Sequence, residues 1–196
     1  FVFVTTHLLN HALGVISIAA MDAGRDVFLA FWRNWPMTAL LFGSLFTHIA
    51  LALWGLYRRR TLKMHAWEAA QLTLGLLIPF QLVEHIAGTR IIHELFGTRD
   101  NYEYILSVFY LWDPTSAILQ ISVMLIAWLH GVIGIHYWIR LKPWHRKWAP
   151  WLQALALLVP AFALAGIHQG GLEIRTIAQN KEAYDAIVAA MRLPTT

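Results

Sequence analysis

The feature that most constrains this chain is a series of apolar runs, each long enough to cross a lipid bilayer and separated by short polar or proline-bearing breaks. Crossing the hydrocarbon core takes roughly 20 residues at about 1.5 Å each. Five runs qualify, at about 1–21, 36–57, 66–87, 115–139 and 149–171. Inside a bilayer the backbone polar groups must be satisfied within the segment, so such runs read as helices. The expected fold is an all-α, polytopic transmembrane helical bundle over 1–171, followed by an outer-side tail or linker over 172–196. The segment 88–114 mixes charged and aromatic residues. It is expected to form short amphipathic helices at the interface, anchored by Tyr102, Tyr104, Tyr110 and Trp112.

Composition supports a lipid environment: 58% of the residues are hydrophobic and 13% charged, against about 25% charged in a typical soluble domain. The net charge of +4 does not indicate nucleic acid, because the charges sit in short clusters between the apolar runs. The expected partner is the bilayer itself. Four basic residues follow the second run (Arg58, Arg59, Arg60, Lys63) and four follow the fourth (Arg140, Lys142, Arg146, Lys147). The other loops are less basic and also carry acids, so the basic pair is expected on the cytoplasmic side. Phe1-Val2-Phe3-Val4 starts without an initiator Met or a signal-peptide pattern. The first helix is therefore expected to begin upstream, and a cytoplasmic domain after Pro194-Thr195-Thr196 would require a sixth span.

Cysteine is absent, which excludes disulfides, cysteinyl zinc, iron–sulfur ligation and thioether-linked haem. Histidine is plentiful. His7, His11, His48, His85, His130, His136 and His168 lie in the apolar runs, where an ionisable side chain is costly unless paired or ligated. His48 stands ten residues before Arg58, and His130 ten before Arg140, so both lie roughly 15 Å from the inner boundary. His85 stands five before Arg90, and His168 five before Glu173, which puts both roughly 7–8 Å from the outer boundary. His11 belongs to the outer half if its helix starts upstream. Two tiers of imidazoles without thiols match two bis-histidine b-type haems in a helical bundle.

Small residues beside these histidines could open space for a flat cofactor: Gly14 and Ser17, Gly43, Ser44 and Thr47, Gly88, Gly131 and Gly134. Small residues also line ordinary membrane helix contacts. Arg58 and Arg140 could pair with the propionates of an inner haem and Arg90 with those of an outer one, though arginines at these places also serve as topology signals. Other histidine chemistries fit poorly. His93-Glu94 starts a zincin-like pattern that fails at Gly97, and the His7/His11 pair lacks the further boxes of a di-iron oxygenase. A proton path through Glu68, Glu84 and His85 is an alternative use of the same region. His65 and His145 fall in basic loops and are expected to be solvated.

Thr6-His7-Leu8-Leu9-Asn10-His11-Ala12-Leu13-Gly14, Phe46-Thr47-His48 with Tyr57-Arg58-Arg59-Arg60, Trp67-Glu68-Ala69-Ala70-Gln71, Glu84-His85-Ile86-Ala87-Gly88-Thr89-Arg90 and Ala127-Trp128-Leu129-His130-Gly131 together carry a resemblance. Residues 5–170 resemble the dihaem cytochrome b anchors of succinate dehydrogenase and fumarate reductase. They are most similar to the N-terminal membrane domain of certain bacterial class III adenylate cyclases. The resemblance implies six spans in a bacterial inner membrane, two b haems, and His11, His48, His85 and His130 as axial ligands. His11 and His85 would share one haem and His48 and His130 the other, leaving His168, despite its depth match to His85, as the substitute ligand. It further implies a redox- or quinone-responsive sensor, a fused or associated cyclase domain outside this chain, and a homodimer. The alternatives are an electron-transfer anchor for a separate dehydrogenase, and a haem-free receptor, anchor or transporter. The chain itself carries no catalytic domain.

Overall fold

The computed structural model describes residues 1–192, all of whose regular structure is helical. In chain order the helices are α1 (Val2–Ala12), α2 (Ile18–Trp32), α3 (Trp35–Tyr57), α4 (Ala66–Ile86), α5 (Ile92–Phe96), α6 (Tyr102–Ser107), α7 (Pro114–Ile139), α8 (His145–Ala178) and α9 (Lys181–Ala190). Four segments are long and apolar enough to cross a membrane: α3, the stretch Ala66–Phe96 that joins α4 to α5, α7 and α8. The apolar window of α3 and that of Ala66–Phe96 bury none of their residues against protein. Large side chains such as Phe46 (65% exposed) and Phe80 (80%) point outward. Such faces are compatible with contact to a bilayer.

The boundaries follow local chemistry. Asn34 Oδ1 accepts from the Met37 N–H at 3.0 Å and Pro36 occupies the first turn of α3, both helix-start features. Asp113 and Pro114 do the same for α7, with Asp113 Oδ1 accepting from the Thr115 N–H at 3.1 Å. Gly97 closes α5 at φ +68°, a left-handed cap that favours glycine.

The first apolar run is not one spanning helix. It forms a shorter apolar helix over Val2–Val15, whose last turn is 3-10, and then breaks. Ser17 is extended and its Oγ caps α2 by accepting from the Ala20 N–H at 3.0 Å. The break lies where α1 meets α8: a Cβ on Gly14 would strike the Gly166 carbonyl, and one on Gly166 the His11 carbonyl. Ile18, Met21, Tyr102, Leu106, Ile167 and Ile174 form the larger core, and Leu8, Trp128 and Ala163 a smaller one. The Trp128 indole N–H donates to the Ala156 carbonyl at 2.8 Å, which ties α7 to α8.

One further expectation changes. Tyr102 and Tyr104 are buried (6% and 7% exposed) rather than surface anchors, because α6 is drawn inward by polar partners from α1 and α2. Asn10 Nδ2 donates to the Tyr102 hydroxyl at 2.7 Å, Asp22 Oδ1 accepts from the Tyr102 N–H at 2.8 Å, and buried Asp100 pairs with both Arg25 and Arg33. The expected tail at 172–196 begins as helix: 172–178 continue α8, and α9 follows. Its end folds back, with the Arg99 N–H donating to the Met191 carbonyl at 2.9 Å. Pro194, Thr195 and Thr196 lie outside the described residues.

Candidate functional site

Among the described residues, histidines from different helices meet in three places: His48 with His130, His7 with His85, and His136 with His145, the last at 5.5 Å and 68°. His48 of α3 and His130 of α7 face each other with ring centroids 5.9 Å apart and planes at 76°. His7 of α1 and His85 of α4 do so at 5.8 Å and 71°. His11 lies beside His7 at 4.4 Å, its ring tilted by 60°. The separations of the two facing pairs lie within the range of ordinary aromatic contacts, about 4.5–7 Å, as does that of His136 with His145.

At the first pair, His130 Nδ1 stands 3.1 Å from the Gln71 carbonyl oxygen. A carbonyl can only accept, so Nδ1 carries the proton and Nε2 keeps its lone pair, the tautomer that binds metal. Gln71 Nε2 returns a hydrogen bond to the His130 carbonyl at 3.0 Å, while Gln71 Oε1 is buried without a partner among the described residues. Gly75 leaves room for the ring: a Cβ there would stand 2.8 Å from His130 Cε1. His48 is exposed, on an open face of α3 that it shares with Gly43, Ser44, Thr47 and Leu51. At the second pair His85 Nδ1 lies 2.9 Å from the side-chain amide of Gln120. A π-helical turn over Ala87–Ile91 follows directly, a distortion frequent at functional sites.

The other residues singled out from the sequence fall as follows. His168 is exposed on α8, apart from both pairs. His136 packs against His145 at 5.5 Å, so His145 is partly buried, while His65 is exposed at the start of α4. Arg58 and Arg140 end α3 and α7, the helices carrying His48 and His130; the Arg140 guanidinium lies 4.8 Å over the Tyr137 ring. Arg90 donates to Thr38 Oγ1 at 3.2 Å and pairs with Glu94 at 3.4 Å, linking α3 to the end of α4 that bears His85. Glu68 and Glu84 lie at opposite ends of α4, bound to Arg59 and Ser116, so they do not converge on His85. The glycines divide into two groups. Gly14 serves the α1–α8 contact, Gly131 faces Phe1 and Gly134 faces Gln71, whereas Gly43 and Gly88 face open space.

Sequence reasoning passed over Gln71, Gln120, Asn10 and the inward turn of Tyr102. The available signal was amides one helical turn or less from a histidine on the same helix, or on its neighbour, inside apolar runs. Outside the spans, burial raises the Asp22 carboxyl above its ordinary range, against the Tyr102 N–H and Arg25, which lower it. Burial also pushes the Tyr102 phenol up, so it remains protonated.

Among the described residues no three His, Asp or Glu side chains are arranged to hold a metal ion; a site of two axial imidazoles does not need a third. The lone pair that the Gln71 carbonyl leaves on His130 Nε2 and the ring cradle at Gly75 are compatible with an imidazole ligand at His130. No known family, curated protein or solved structure matches the chain.

Proposed function

We propose that this chain is a membrane-embedded dihaem b-type cytochrome module that acts as a redox- or quinone-responsive sensor and anchors a cyclase domain outside these residues. The observation that carries the reading is the meeting of imidazoles from separate helices, 5.9 and 5.8 Å apart. His48 and His130 would hold one haem, and His85 with a histidine of α1 the other. When bound, such a group supplies one-electron exchange between ferric and ferrous iron.

The chain's own residues supply the setting. The Gln71 carbonyl orients His130 through Nδ1, which raises the basicity of Nε2, and the Gln120 side-chain amide meets His85 Nδ1. Gly75 leaves room for the His130 ring, Gly43 and Ser44 lie on the open face of α3 beside His48, and the apolar helices limit water access. Arg58 and Arg140 on the inner side, with Arg90 on the outer, would pair with propionates. Because the proposed ligands come from four helices, the redox state bears on how those helices pack, which is what a sensor needs. The resemblance of the histidine-bearing motifs supports the cyclase anchor, the homodimer, the bacterial inner membrane and a sixth span beyond these residues, and the basic loops support a cytoplasmic placement of the ends of α3 and α7.

The test is a reduced-minus-oxidised spectrum of the purified chain with pyridine haemochrome quantification. Two haems per chain are expected, falling to one in His48→Ala or His130→Ala and unchanged in His65→Ala. Haem-free protein from a haem-replete host would retire the reading.

A further inference from the structure

We infer that His7, rather than His11, is the α1 imidazole that completes the outer pair with His85, while His11 is engaged by Tyr102. The inference rests on the dihaem reading and assigns a residue within it. The Asn10 side chain fixes the polarity of the hydrogen-bond chain. Its Nδ2 donates to the Met21 carbonyl at 3.2 Å and to the Tyr102 hydroxyl at 2.7 Å. The Met21 carbonyl can only accept, so the amide orientation is determined.

The Tyr102 oxygen therefore receives one proton from Asn10 and must place its own. Tyr102 is buried, and a buried hydroxyl proton needs an acceptor. His11 Nδ1, at 2.8 Å, is that acceptor. A neutral imidazole accepting at Nδ1 carries its proton on Nε2 and has no lone pair left there for a metal. The ring of His11 also faces Tyr102 edge-on at 5.6 Å.

His7 is under no such constraint. Its ring is held by packing, against Phe3 at 5.7 Å and Phe28 at 5.4 Å. It is also the α1 ring that stands opposite His85 at the spacing of the inner pair. His7 and His11 are one helical turn apart, so spacing along the sequence cannot separate them. The Tyr102–Asn10 bonds do.

The experiment quantifies haem by pyridine haemochrome, and records low-temperature EPR of the ferric low-spin signals, in wild type, His7→Ala, His11→Asn and His48→Ala. Asparagine keeps an acceptor oxygen near the place of Nδ1, so the Tyr102 contact survives. Wild type with two haems and His48→Ala with one establish the dihaem reading independently. Given that, His7→Ala is expected to retain one haem and lose the outer EPR signal, and His11→Asn to retain both. Loss of one haem in His11→Asn with both kept in His7→Ala would overturn the assignment. If both variants lose haem, added imidazole decides: recovery of the outer low-spin signal in His7→Gly but not in His11→Gly supports it, and the reverse refutes it.

Discussion

Gly75→Ala tests the seat of His130 with one methyl group. The added Cβ would stand 2.8 Å from His130 Cε1 and 3.2 Å from Nδ1, where ordinary contact begins at 3.4 Å. The imidazole must therefore move by at least several tenths of an ångström. It cannot do so freely, because Nδ1 is bonded to the Gln71 carbonyl at 3.1 Å, near the outer limit for such a bond. Overpacking of this kind costs about 1–3 kcal/mol, and weakening the hydrogen bond adds about 1 kcal/mol. Alanine's better helix propensity offsets about 0.5–1 kcal/mol. The net is about 2 kcal/mol against the seated ring, roughly a 30-fold shift in its population. Haem content and thermal unfolding in detergent are the assay, with Gly55→Ala as control, since a Cβ there meets nothing within 4 Å. Gly75→Ala should lose or perturb the inner haem and spare the outer one, while Gly55→Ala leaves both intact. Wild-type spectra together with a raised Tm in Gly75→Ala would show that His130 does not occupy this cradle.

Gly166→Ala sets a methyl against the His11 carbonyl, a backbone group that cannot rotate away; Tm should fall by an amount matching about 1–3 kcal/mol, with the outer haem lost before the inner, and retention of both with unchanged Tm would contradict the close α1–α8 approach. Asp100→Asn leaves Arg25 and Arg33 facing a neutral amide. Their side chains are 17% and 20% exposed, so the loss should fall below the about 3–5 kcal/mol of a fully buried pair, read as a lower Tm that the conservative control Asp26→Asn, on an exposed carboxylate, does not share.

The four long helices were legible because their signal is a property of composition over about 20 residues, which no single packing contact overrides. His48 and His130 were legible as one tier for a related reason. Helical rise converts distance from a basic loop into depth, and both helices run toward such loops. The first run failed the same test because its length was continuous but its backbone was not. What interrupts it is the Gly14–Gly166 contact, which depends on a helix some 150 residues away in sequence. Tyr102 and Tyr104 were taken for interfacial anchors because an aromatic ring beside charged residues looks alike at a membrane surface and in a polar core. Only the partners, Asn10 and Asp22, separate the two cases.

Depth arithmetic resolves position along a helix axis and nothing about which ring nitrogen is free, which is why His168 matched His85 in level yet faces outward. The distinction between a ligand and a structural histidine lies in its hydrogen-bond partner. A backbone carbonyl at Nδ1, as at His130, forces the proton onto that nitrogen and leaves the lone pair on Nε2. A phenol whose oxygen already accepts a bond does the opposite at His11. Whether an intramembrane histidine is poised to ligate is thus decided by the donor or acceptor character of one neighbour, usually on another helix. In the proposed dihaem reading, a residue such as Gln71 matters as much as the imidazole whose Nδ1 it engages.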